Sequence, residues 1–127
     1  MSKLILIDDD LIYHKISQLM IKGYSPVKDV VSSVDGKATL DYLIENKSNN
    51  DNLPDYIFVD LNMPDYNGWD FLDGYKKVCD SFKKAIQVYI VSSSISPVDV
   101  SRSKDYSFVN SFIMKPLRRE FLEGLID

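Results

Sequence analysis

Four short apolar runs punctuate the chain, and each ends on a residue able to carry chemistry. Leu4-Ile5-Leu6-Ile7 runs into Asp8-Asp9, Tyr56-Ile57-Phe58-Val59 into Asp60, Val88-Tyr89-Ile90-Val91 into Ser92, and Phe112-Ile113-Met114 into Lys115-Pro116. Continuous apolar stretches of this length read as strands buried on both faces. A weaker run, Val27 to Ser32, is interrupted by Asp29 and reads as a strand near an edge. The first strand is expected over Lys3 to Asp8.

Segments with helical features follow each strand. Asp10 is placed to cap a helix reaching about Ile21, whose apolar positions Leu11, Ile12, Ile16, Leu19 and Met20 recur at three- and four-residue spacing, with Gly23 at the expected stop. Asp35-Gly36 opens a second helix carrying Ala38, Leu40, Leu43 and Ile44, and Asn67-Gly68 a third carrying Trp69, Leu72, Tyr75, Val78 and Cys79. Ser96-Pro97-Val98-Asp99 reads as cap, first-turn proline and acidic third position of a fourth, serine-rich helix, expected to be the least stable. Pro116 begins a fifth with Leu117, Phe121, Leu122 and Leu125 as its buried stripe. Lys47 to Leu53 has loop composition.

Five βα units predict an α/β, flavodoxin-like (βα)5 doubly wound parallel sheet with right-handed crossovers and strand order 2-1-3-4-5. In such sheets ligands bind beyond the carboxyl ends of the strands, where the order reverses, here between strands one and three. Those strands end in Asp8-Asp9 and Asp60. With the strands parallel, the acids, the Ser92 hydroxyl and the Lys115 amine all meet at one edge.

Length and composition narrow the picture. The 127 residues fit one domain, 1–127, and 45% hydrophobic with 27% charged residues describes an ordinary globular chain. A net charge of −4 provides no basic face for nucleic acid, and no apolar run approaches a membrane span. Cys79 is the single cysteine and Met-Ser-Lys opens no secretory signal, both of which favour the cytoplasm.

Three carboxylates brought close together repel one another unless a proton or a cation neutralises them. Carboxylate and carbonyl oxygens suit Mg2+, which keeps several waters and completes its shell with phosphate. Lys115 is then free to meet a second phosphate oxygen, and Ser92 a third. With the phosphoryl charge neutralised, a carboxylate can act as nucleophile, and Asp60 is the best placed.

At this point the chain resembles a response regulator receiver domain over essentially its whole length. The resemblance rests on Asp8-Asp9 after strand one, Asp60-Leu61-Asn62-Met63-Pro64 and Gly68 after strand three, Ser92 after strand four, and Lys115-Pro116 after strand five. It implies that Asp60 accepts a phosphoryl group from a histidine kinase or histidine phosphotransfer protein. It further implies that Asp9, Asp60 and the backbone carbonyl of Asn62 ligate Mg2+, with Asp8 acting through water. Ser92 and Phe112 would form a switch reshaping the face of helix four, strand five and helix five toward a downstream protein partner, and Lys115-Pro116 would be cis. A phosphorylation-dependent homodimer is compatible with the resemblance. Asn62 and Ser94 stand where the family tunes the lifetime of the phosphoryl group.

Some residues depart from the family's pattern. Ser92 replaces the commoner threonine, Phe112 the frequent tyrosine, and Phe108-Val109-Asn110-Ser111 a turn of small residues before strand five. Asp10 reads as a helix cap, His14 as an ordinary position on helix one, Arg118-Arg119 as a solvated start to the last helix, and Trp69, Phe71 and the tyrosines as packing. The alternatives are a phosphatase of the haloacid dehalogenase type, whose Asp-x-Asp opening Asp8-Asp9-Asp10 also fits, and a receiver-like module that binds partners without phosphorylation. The first needs further metal-binding acids on a strand beyond the lysine, and only 12 residues follow Lys115. The chain ends soon after its fifth helix, so it is a stand-alone receiver or an excised one.

Overall fold

In the computed structural model, residues 2–94 and 96–125 are described; Met1, Ile95 and the last two positions of the expected 1–127 domain lie outside them. Strands β1 (Lys3–Ile7), β2 (Asp29–Ser33), β3 (Tyr56–Asp60), β4 (Gln87–Ser92) and β5 (Val109–Met114) form one sheet in the order β2-β1-β3-β4-β5. All four pairings are parallel. Between and after the strands lie α1 (Leu11–Tyr24), α2 (Gly36–Glu45), α3 (Gly68–Val78), α4 (Pro97–Ser103) and α5 (Arg119–Glu123).

Alternation along the central strands builds two cores. Leu4 and Leu6 face one way, with Tyr56, Phe58, Val91, Ile21, Leu117, Leu122 and Leu125. Ile5 and Ile7 face the other, with Ile57, Val59, Leu40, Leu43, Phe71, Leu72 and Tyr75. Burying each such side chain contributes about 1.5–3 kcal/mol. The sheet centre is therefore a rigid platform, and the strand ends are held where the core leaves them.

The expected caps form. Asp10 accepts from the amides of Ile12 and Tyr13, Asp35 from Lys37 and Ala38, and Asn67 and Asp70 make a reciprocal capping box. Ser96 accepts from Asp99, with Pro97 opening α4. β2 lies at an edge, as its interrupted pattern predicts.

Four expectations give way. α1 runs through Gly23 to Tyr24 and is capped by Ser25, whose amide and hydroxyl both donate to the Ile21 carbonyl. Its stripe Leu11, Ile12, Ile16 and Leu19 faces solvent, while His14, Ser17 and Ile21 turn inward. The segment before β5 is no separate turn: Val109 to Ser111 belong to the strand, with Asn110 as an extra residue between the Val88–Val109 and Tyr89–Ser111 pairs. The fifth helix starts at Arg119, later than Pro116, although Leu117 is buried beneath it.

Candidate phosphoryl-transfer site

The parallel register sets the site. Ile7 pairs with Val59, Asp60 with Val91, and Ser92 with Met114, so the residues that end or follow these strands gather along one edge. Asp8 is 1% exposed and Asp60 5%, whereas Asp9 lies open to solvent. Carboxylate oxygens of these three aspartates all lie within 4.8 Å of one another, a grouping able to hold a metal ion. Hard oxygen donors of this kind, two deep and one open, suit a divalent cation that keeps part of its water.

Lys115 closes the cluster. Its Nζ donates to Asp8 Oδ2 at 2.6 Å and stands 3.5 Å from Asp60 Oδ2. The other Asp8 oxygen accepts from the Asp10 amide at 2.9 Å, so both of its oxygens are engaged. The Lys115 amide donates to the Ser92 carbonyl at 2.7 Å, and the Lys115-Pro116 bond is cis.

Burial first, then the charge of Asp8, pushes the Asp60 carboxyl above its usual range, with Lys115 pulling the other way. For Lys115, burial alone would lower the pKa; the bond to Asp8 and the charges of Asp60 and Asp8 outweigh it and hold the ammonium above its ordinary value. The nucleophile candidate thus has a high free energy when ionised, and its cation is firmly charged.

The loop after β3 presses on the same edge. A Cβ at Gly68 would collide with the Asp60 carbonyl oxygen and would stand 2.7 Å from Leu61 Cα, so α3 can start here only on glycine. The Gly68 amide bonds the Leu61 carbonyl at 3.2 Å, and Asp65 takes φ 62°, the left-handed form that aspartate tolerates. The Asn62 amide donates to Asp60 Oδ1 at 3.3 Å.

Ser92 is buried, and its hydroxyl donates to the Ser94 carbonyl at 2.9 Å. Phe112 is half-buried against the core and borders a surface cleft of about 320 Å³ shared with Tyr106, Val109 and Asn110. Asp10 is spent on its cap, as its sequence position predicts.

Two neighbours of the site escape the sequence reading. His14 is buried, and its Nε2 faces the Asp8 carbonyl at 2.6 Å and the Ser33 carbonyl at 3.1 Å. Two acceptors require Nε2 to carry the hydrogen. His14 therefore ties the ends of β1 and β2 together and fixes the Asp8-Asp9 turn. Tyr13, one of the tyrosines read as packing, lays its ring against Lys115, with Nζ 4.1 Å from the centroid. The available signal was their inward spacing with Ser17 and Ile21, masked by the stronger apolar stripe beside it.

This arrangement of acidic pair, strand-end aspartate, buried hydroxyl and cis lysine-proline coincides with a family match: the model for the response regulator receiver domain fits residues 4–127. The chain belongs to that family. As a receiver domain it is similar in structure to a two component response regulator from Cytophaga hutchinsonii, with TM-score 0.86 and 29% identity over 97% of this chain and 92% of that one. It is similar to the phosphorylated cyanobacterial phytochrome response regulator RcpA, with TM-score 0.73 and 28% identity over 96% and 86%. Among curated proteins it is 33% identical over 93 residues to the probable methanogenesis regulatory protein FilR2 of Methanothrix harundinacea. That match covers 73% of this receiver domain and 58% of the regulator, so the chain spans little more than half the length of that relative. Receiver domains are signalling modules, and the cluster of Asp8, Asp9 and Asp60 fits a phosphoacceptor site. Among the described residues no helix is long and apolar enough to cross a membrane.

Proposed function

We propose that Asp60 is the phosphoacceptor of this receiver domain and takes its phosphoryl group from a phosphohistidine of a histidine kinase or histidine phosphotransfer protein. The observation that carries the reading is Asp60 itself: a nearly buried carboxylate at a strand end, 3.5 Å from an ammonium and grouped with two further acids. An Asp60 oxygen attacks phosphorus, an O–P bond forms as the P–N bond breaks, and the electron pair returns to the imidazole. Lys115 faces the phosphoryl oxygens as a point charge. A divalent cation, Mg2+ in the first instance, would be held by Asp9, Asp60 and the Asn62 carbonyl, with Asp8 acting through water; when bound it would neutralise the phosphoryl oxygens.

Phosphorylation then competes for the Ser92 hydroxyl, now bonded to the Ser94 carbonyl. Turning Ser92 toward the phosphoryl group frees space beside it for Phe112, and the face of α4, β5 and α5 changes for a downstream protein partner. The exposed stripe Leu11, Ile12, Ile16 and Leu19 begins one turn from the acidic cluster and supports docking of the phosphodonor there. The reading places this exchange in the cytoplasm and assigns the chain a phosphoacceptor's role, distinct from that of an enzyme turning over phosphate esters.

The test uses the whole chain with Mg2+ and acetyl phosphate, followed by intact mass. One phosphoryl group per chain is expected on the wild type and none on Asp60→Asn. An unchanged wild-type mass overturns the reading, and so does sustained hydrolysis of phosphate esters.

A further inference from the structure

We propose that Tyr13 is a positioning residue for phosphoryl transfer, its ring holding the Lys115 ammonium in the site while that ammonium changes partners. The proposal rests on Asp60 being the phosphoacceptor. Lys115 has three described neighbours around its charge: Asp8 at 2.6 Å, Asp60 at 3.5 Å, and the Tyr13 ring at 4.1 Å from its centroid. The first two are acids of the cluster that a divalent cation would claim. A cation entering there weakens both ion pairs, and a lysine on a flexible four-carbon stem tends to swing toward water. Tyr13 offers an uncharged π face that no metal competes for, and a cation over such a face is held by the ring quadrupole.

The ring's place is fixed by the helix that carries it. The Tyr13 amide donates to Asp10 Oδ1 at 3.1 Å, so the N-cap that starts α1 also sets the height of the ring against Lys115. His14, the next residue, anchors the same turn to the Asp8 and Ser33 carbonyls. The hydroxyl contributes little to this task. Tyr13 Oη is buried and makes no hydrogen bond of normal geometry among the described residues, with Ser17 as the polar group acting on it. The useful part of Tyr13 is the ring, which separates this role from that of a hydrogen-bonding or titrating residue.

The experiment compares wild type, Tyr13→Phe and Tyr13→Leu as whole chains. Proton NMR reads the Lys115 ε-methylene, bonded to the Nζ that lies over the ring at 4.1 Å from its centroid. An upfield ring-current shift is expected in wild type and Tyr13→Phe, with and without Mg2+, and its loss in Tyr13→Leu. Phosphorylation by saturating acetyl phosphate is expected to slow roughly 3- to 20-fold in Tyr13→Leu, the range a cation over an aromatic face commands, and to stay within about twofold in Tyr13→Phe. Magnesium affinity should not weaken in either. Tyr13→Met replaces the leucine variant should that one fail to fold. Equal rates in the phenylalanine and leucine variants, or a magnesium affinity that falls with the rate, overturn the proposal. A wild type that accepts no phosphoryl group overturns the phosphoacceptor reading instead, and Tyr13's part in transfer with it.

Discussion

Asp8 and Lys115, 107 positions apart in sequence, are joined by an ion pair of 2.6 Å that links the carboxyl ends of β1 and β5, two strands that do not neighbour each other in the sheet. Asp8 is 1% exposed, so removing the lysine strands a charge that the core cannot solvate. Breaking a buried pair from one side typically costs about 3–5 kcal/mol. Lys115→Met is expected to lower stability in urea by an amount of this order, and Mg2+ should restore part of it. A variant as stable as wild type would show that Asp8 is solvated in solution.

Asp60 gives a pH-dependent prediction with a definite sign. Burial and then Asp8 hold its carboxyl above the ordinary range, so the folded protein binds a proton that the unfolded chain has already released. Such a group's contribution is present below the unfolded value, about 3.9, and is lost as pH rises through the folded value. At pH 7 the ionised Asp60 therefore works against the fold. Asp60→Asn is expected to raise Tm at pH 7 without magnesium, by about 4 °C for each kcal/mol relieved, and the gain should vanish as the pH falls below about 4. Calorimetry across this range checks both points.

Magnesium should reverse that ranking. An ion that binds only the folded state adds stability by mass action, about 2.7 kcal/mol at a hundred times its Kd. Wild type should gain Tm on adding Mg2+, while Asp9→Asn, which alters the solvent-facing acid of the cluster, should gain much less. Equal shifts would place the ion elsewhere.

His14 should matter to both stability and metal. Its Nε2 serves two strand-end carbonyls, and His14→Leu leaves both without it, at about 1–3 kcal/mol. Magnesium affinity is expected to fall as well, because the Asp8-Asp9 turn loses its tie to β2. Denaturation and isothermal titration read the two effects separately.

Trp69 offers an optical report on α4. It is the single tryptophan, with the Arg102 guanidinium 4.3 Å from its ring centroid and Tyr106 stacked at 5.8 Å. Any movement of α4 on phosphorylation shifts Arg102 and hence the emission. A beryllofluoride-loaded wild type should change its Trp69 fluorescence, and Arg102→Ala should show a smaller change at a stability cost of about 0.5–1 kcal/mol.

Where the sequence was legible, one force dominated. Runs such as Tyr56 to Val59 are buried on both faces, and only a central parallel strand satisfies them, so sheet order and strand-end chemistry followed. Helix caps were equally clear, because Asp10, Asp35, Asn67 and Ser96 each answer a local need for an acceptor. α1 departs from its expected face because two stripes satisfy the same period. The apolar one, Leu11, Ile12, Ile16 and Leu19, lost to Tyr13, His14, Ser17 and Ile21, since the ends of β1 and β2 present carbonyls that require a donor. That demand is tertiary, and local periodicity alone does not say which of the two stripes it selects. The bulge at Asn110 likewise depends on how β5 meets β4.

α4 buries none of its residues and is fastened by the Arg102 stack and its Ser96 cap. Its outer positions, Val98 among them, can be rewritten without disturbing either core. The molecule thus separates what must stay fixed from what is free to vary: the strand ends confine the acidic cluster, and under the proposed function the choice of listener can drift on a helix the fold does not depend on.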